Sequence, residues 1–111
     1  MADDSDHAWA SGNENAHYVL RLYVTGATPR SARAISNARR ICDAHLTGRF
    51  ELEVIDIYEQ PLAALRDQIL AAPTLVRLVP EPIRKIIGDL SDELKTLRAL
   101  GVRAGVSDVP L

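Results

Sequence analysis

The chain is poor in cysteine, in aromatic residues and in long apolar runs. A single cysteine, Cys42, stands among 111 residues, which excludes an internal disulfide and a cysteine-based zinc site. No stretch approaches the roughly 18 to 20 uninterrupted apolar residues of a membrane helix, and the N-terminus lacks a basic region followed by an apolar one. The expected setting is cytoplasmic, away from membranes. Aromatic side chains are limited to Trp9, Tyr18, Tyr23, Phe50 and Tyr58, too few for a stacking platform, so nucleic-acid binding is not expected. Phosphate-cradling GxxxxGK[ST] and GxGxxG loops are missing, so any nucleotide chemistry belongs to a partner. His7, His17 and His45 have no metal-ligand spacing. Asp56 and Glu59 form a candidate carboxylate pair with no nucleophile or oxyanion hole near them. No cofactor, metal or catalytic residue is expected.

What is present is the composition of one soluble globular domain: 47% hydrophobic and 25% charged residues, with six Gly and six Pro. The formal charge of -2 hides a division. Asp3, Asp4, Asp6, Glu14 and Asp108 lie near the two ends, which leaves ten acids against 13 bases, or +3, over residues 18–103. Eleven of the 13 bases are Arg. Such a surface suits an acidic protein partner or a phosphate.

Residues 1–17 are acidic and rich in small polar side chains, as in a disordered tail. The run Tyr18 to Val24 is β-branched and aromatic and reads as a buried strand stopped by Gly26. Thr28 and Pro29 open a helix, one as cap and one with its φ preset. Ile35, Ala38, Ile41, Cys42 and His45 share its inner face, Arg33, Asn37 and Arg40 point to water, and Gly48 closes it. Glu51 to Ile57 is a second strand, and strand, helix, strand in one unit implies parallel neighbours. Pro61 opens a short helix lined by Leu62, Leu65 and Ile69. Thr74 to Val79 is a third strand, and Ile83 to Ile87 returns antiparallel, since Pro80-Glu81-Pro82 is too short for a helical crossover. Ser91 caps a last helix whose Leu94, Leu97 and Leu100 face the sheet. Gly101 ends it, and residues 104–111 read as a frayed tail.

The resulting order, β-α-β-α-β-β-α, is similar to thioredoxin. Ala72-Pro73-Thr74-Leu75 resembles the cis-proline segment of that fold, and Thr28-Pro29-Arg30-Ser31 takes the place of its CxxC motif. Both thiols of the motif are replaced, so disulfide exchange is not expected. Cys42, on an apolar helix face, reads as a small core residue. A closer resemblance runs through the segment from Tyr18 to Ser31, returns from Ile69 to Leu75 and continues from Pro80 to Ser91, with LYVTGATPRS, AAPTL and RKIIGDLS as its cores. On these segments the chain resembles the KaiB family.

That resemblance implies an α/β, thioredoxin-like βαβαββα domain over residues 18–103, with the βαββααβ ground-state arrangement of the family as the alternative and a switch of fold in the C-terminal half. It implies a non-enzymatic regulator that docks on a KaiC-type ATPase ring and modulates its phosphorylation cycle, in a clock, a timer or a stress response. It also implies self-association as a dimer or tetramer in the ground state, and competition with a KaiB-like sensor kinase. The expected contact residues are Arg21, Arg33, Tyr58, Arg66, Arg84 and Lys85. Pro73, Pro80, Pro82, Gly88 and Asp89 are expected to set which fold wins: X-Pro bonds isomerise slowly, while Gly permits a positive-φ turn and Asp accepts amides at a helix start. The competing reading is a thioredoxin-fold protein that binds or uses glutathione, with Ser31 and the backbone beside Pro73 holding a thiol peptide.

Overall fold

A computed structural model describes residues 16–102, so the expected terminal tails fall almost wholly outside the described residues. The elements are β1 (Tyr18–Val24), α1 (Pro29–His45), β2 (Phe50–Asp56), α2 (Pro61–Arg66), β3 (Thr74–Val79), β4 (Arg84–Ile87) and α3 (Glu93–Leu100). Their sequence is the expected βαβαββα. The four strands form one sheet in the order β2-β1-β3-β4. β1 runs parallel to β2 and antiparallel to β3, and β4 is antiparallel to β3.

β1 is central because it is the most apolar strand, and a central strand must bury both faces. Its Tyr18, Leu20, Leu22 and Val24 enter the larger core, with Ala34, Ala38, Ile41 and Cys42 of α1, Leu97 and Leu100 of α3, and Leu46, Leu75 and Leu90. The opposite face carries a smaller core, Tyr23, Ile55 and Val76 beneath Ala63 and Ala64 of α2. Two helices therefore cover one face and a helix of six residues covers part of the other.

The caps explain the helix limits. The Thr28 hydroxyl accepts the Ser31 amide at 3.1 Å and Pro29 occupies the first turn, as expected. α1 ends at His45 with Leu46 as its C-cap, so Gly48 lies in the following turn rather than at the helix end. α3 is capped by Asp92, not Ser91: the Asp92 carboxylate accepts the Lys95 amide at 3.0 Å, and a carboxylate gains more from the positive helix end than a hydroxyl does.

Two expected apolar faces are corrected. In α2 the inward residues are Ala63 and Ala64, while Leu62 and Leu65 are 73% and 72% exposed. Ala63 and Ala64 pack onto Tyr23, Ile55 and Val76, with the Tyr23 hydroxyl 3.3 Å from the Ala63 carbonyl. In α3 Leu97 and Leu100 are buried but Leu94 is exposed. Steps of three residues drift by roughly 60° each around a helix, and Thr96, four before Leu100, takes the inner place.

The Ala72–Pro73 peptide is cis, as the resemblance to thioredoxin implied, and Val79–Pro80 and Glu81–Pro82 are cis as well.

Candidate functional site

The C-terminal ends of β1 and β2 are tied together by one carboxylate. Asp56 Oδ1 accepts the amides of Gly26 at 3.1 Å and Tyr58 at 2.9 Å. This places the Tyr58 ring over Gly26, where an added Cβ would lie 3.6 Å from the ring. The outer face of the ring is left to solvent, and Tyr58 is 75% exposed. Leu62 and Leu65 follow on the outer side of α2, and Leu70 is 96% exposed beyond it. Four large apolar side chains thus stand in water along 13 residues of chain, against the usual drive to bury them.

The segment is held from beneath by Asp67. Its Oδ2 accepts from Arg21 Nη1 at 3.0 Å and from the Tyr23 hydroxyl in a very short bond. Arg21 Nε also pairs with Glu53 at 3.3 Å. Burial works against ionised Asp67, but the bonds from Tyr23 and Arg21 outweigh it and hold the carboxyl below its ordinary range. Burial and the neighbouring carboxylate push the Tyr23 phenol up. The end of α2 is therefore clamped to β1 through a charge-assisted network.

Of the residues expected to contact a partner, the fold gathers Arg21, Arg66 and Lys85 around the turn after α2. Lys85 Nζ donates to the Gln68 carbonyl at 3.1 Å. A cleft of about 330 Å³ lies here, lined by Arg66, Asp67, Gln68, Val76, Leu78, Ile83 and Lys85. Arg21 is largely spent on its ion pairs, whereas Arg66 and Lys85 are exposed. Tyr58 stands at the other end of α2. Arg84 is exposed on β4, on the opposite side of that strand from Lys85. Arg33 lies apart on α1, where its Nε pairs with Asp89 at 3.2 Å.

That pair belongs to a second network the sequence did not reveal. Asn37 Nδ2 donates to the Asp89 carbonyl at 2.8 Å, Arg40 pairs with Glu93 at 2.6 Å, and His45 meets the other Glu93 oxygen at 2.7 Å. Arg33, Asn37 and Arg40, expected to face only water, and His45, expected on the inner face, stitch α1 to the turn before α3 and to its first residue, Glu93. Asp89 also accepts the Ser91 amide at 3.1 Å, and Gly88, at φ +125°, donates its amide to the Pro73 carbonyl at 2.9 Å. The bonds from Arg33 and Ser91 hold the Asp89 carboxyl below its ordinary range.

The place of the redox motif is chemically closed. The Thr28 hydroxyl donates to Ser31 Oγ at 3.0 Å, and Ser31 Oγ accepts the Thr25 amide at 3.2 Å. Cys42 is buried, and desolvation pushes its thiol up to about 12, far from a reactive thiolate. Among the described residues no group of three or more His, Cys, Asp or Glu is placed to hold a metal, and no helix is long and apolar enough to cross a membrane. Arg77 of β3, buried at 6% exposure, and the outward leucines of α2 were missed by sequence reasoning. Burial of an Arg on a strand has no local signal, but the adjacent Ala63 and Ala64 could have marked the inner side of α2.

Fold and site together define a thioredoxin-like domain without the paired thiols of the redox enzymes that share it. The N-terminal domain of Synechococcus elongatus SasA has the same fold, with a TM-score of 0.63 at 24% identity over 82% of this chain and 90% of that one. The Drosophila melanogaster thioredoxin Deadhead has it too, with a TM-score of 0.62 at 12% identity over 86% and 91%. The KaiB domain matches residues 21–102. Circadian clock oscillator protein KaiB of Prochlorococcus marinus strain MIT 9312 is 49% identical over 83 residues, 75% of this chain and 79% of that protein. The KaiB of Microcystis aeruginosa is 49% identical over 75% of this chain and 80% of its own length. The chain belongs to the KaiB family.

Proposed function

We propose that this protein is a non-enzymatic regulator that docks on a KaiC-type ATPase ring and modulates its phosphorylation cycle, in a clock, a timer or a stress response. The observation that carries the reading is the outward display of Leu62 and Leu65 by α2, beside exposed Tyr58 and Leu70. A helix that buries two alanines and exposes two leucines gains from a second surface, because an apolar patch at a protein–protein site supplies the fully desolvated centre. Arg66 and Lys85 rim this patch with positive charge and favour an acidic face on the partner. Arg33 and Arg84 lie outside it and contribute less. The blocked thiol positions and the unreactive Cys42 favour binding over turnover. Self-association as a dimer or tetramer, in the βαββααβ arrangement, would hide the same leucines at rest. Gly88, Asp89 and the three prolines lie in the half that rearranges. A sensor-kinase domain of the same fold would compete for the same ring.

The test is the mass of the complex by size exclusion with light scattering, after hours of incubation with a KaiC-type ring and ATP. Co-elution is expected, and the double variant Leu62→Ser, Leu65→Ser is expected to lose it. Absence of co-elution by the native chain overturns the reading.

A further inference from the structure

The outward backbone groups of β4 are the feature the docking surface does not use. β4 ends the sheet, with β3 on one side and no further strand on the other among the described residues. The Gly88 amide bonds the Pro73 carbonyl, and the register pairs Thr74 with Ile87 and Arg77 with Arg84. Hydrogen-bonded pairs alternate in an antiparallel ladder. Arg84 and Ile86 therefore turn their backbone groups toward β3, whereas Lys85 and Ile87 turn theirs outward. Two amides and two carbonyls are presented in a row.

Edge strands are commonly protected by charge, and Lys85 suits that role. Protection does not explain the rest of the edge. Ile87 is 68% exposed and Ile83 is 57% exposed on the same strand or its approach. Exposed isoleucines invite pairing rather than prevent it. Beside them, past the end of the strand, lies a depression of about 130 Å³ lined by Ile86, Ile87, Asp89, Asp92 and Lys95, among others, so the acids of an occupant belong at the Arg84 and Lys85 end of the edge. A second copy of this edge is a poor occupant, since Arg84 and Lys85 of both copies would place four bases in one short ladder.

We propose that the β4 edge captures an extended acidic segment of a partner protein by strand addition, beside the α2 surface and sharing Lys85 with its rim. Charge complementarity selects the occupant: two adjacent acids meet Arg84 and Lys85 on opposite faces of the sheet, and two adjacent apolar residues meet Ile86 and Ile87. Main-chain bonds to Lys85 and Ile87 supply affinity, and the alternating side chains supply selectivity. The motif is two acids next to two β-branched residues.

The test uses the full chain and two dye-labelled eight-residue peptides, read by fluorescence anisotropy. One has an Asp-Glu-Val-Val core for parallel addition and the other a Val-Val-Glu-Asp core for antiparallel addition; one of the two is expected to bind. Saturable binding with Kd below about 1 mM is expected, together with slowed amide exchange at Lys85 and Ile87. The peptide's alternate amides are then N-methylated in two complementary sets. One set, whose amides face the edge, weakens binding at least about tenfold, and the other changes it less than about twofold. Arg84→Glu with Lys85→Glu weakens binding roughly tenfold. Leu62→Ser with Leu65→Ser leaves peptide binding unchanged, which separates this site from the ring-docking surface. No binding, equal effects of the two methylated sets, or slowed exchange on β2 instead of β4 overturns the proposal.

Discussion

Arg77, in β3, donates from Nη1 to the carbonyl of Leu100, the last residue of α3, at 2.6 Å. Its Nη2 donates to the Pro82 carbonyl at 2.6 Å, and its Nε has no partner among the described residues. The side chain is 6% exposed, and burial lowers its pKa. This guanidinium sits where the last helix carbonyls concentrate partial negative charge, and that field stands in for a carboxylate. It joins the sheet, the β3–β4 turn and α3 at one point. Arg77→Met leaves two carbonyls without their donor, and a loss of about 1–3 kcal/mol in urea unfolding is expected. Amide exchange should rise first in α3 and the 80–83 turn. Gly101→Ala should act similarly, because Gly101 has φ +78° and an added Cβ would lie 3.0 Å from Arg77 Nη1.

Asp67 should make stability depend on acid. Its folded pKa is depressed, so its contribution is present above the unfolded value of about 3.9 and is lost as pH falls through the folded value. Thermal unfolding followed from pH 6 downward should show stability falling as that window is entered. Asp67→Asn should be less stable at pH 7 by about 1–3 kcal/mol and flatter over the same acid range. An identical pH profile in both proteins would contradict the clamp.

The two sides of α2 and α3 should respond oppositely to truncation. Leu97→Ala removes a fully buried side chain and should cost about 2–5 kcal/mol. Leu65→Ser, on an exposed face, should change stability by no more than about 0.5 kcal/mol. The same Leu65 change should weaken the proposed docking on a KaiC-type ring, so stability and binding separate at these two residues.

Cys42 should be silent toward thiol reagents. Native protein mixed with a chromogenic disulfide at pH 8 should release no colour on the timescale of minutes, and full reaction should follow only in denaturant. The reason is its burial, which pushes the thiol up to about 12. Rapid labelling without unfolding would show that the packing around Ala38 and Cys42 opens readily.

Local chemistry written in the chain fixed much of this architecture. The β-branched and aromatic run of β1, the Thr28-Pro29 start of α1 and the parallel β1–β2 unit follow from side-chain preferences within a few residues, and so they could be read directly. Family membership was legible for a related reason, since LYVTGATPRS, AAPTL and RKIIGDLS are contiguous stretches, all within residues 21–102 that match the KaiB domain. Tertiary structure decided what depends on partners distant in sequence. Leu62 and Leu65 face water because Tyr23, about 40 residues earlier, with Ile55 and Val76 receives Ala63 and Ala64, while Tyr23 and Arg21 hold Asp67 at the end of α2. Arg77 is buried because α3 brings a helix end to it, and the polar side of α1 is occupied because Asp89 and Glu93 fold back on it. Helical periodicity identifies a face, but which face turns inward depends on the surface that arrives opposite, and that surface is assembled only when the chain folds.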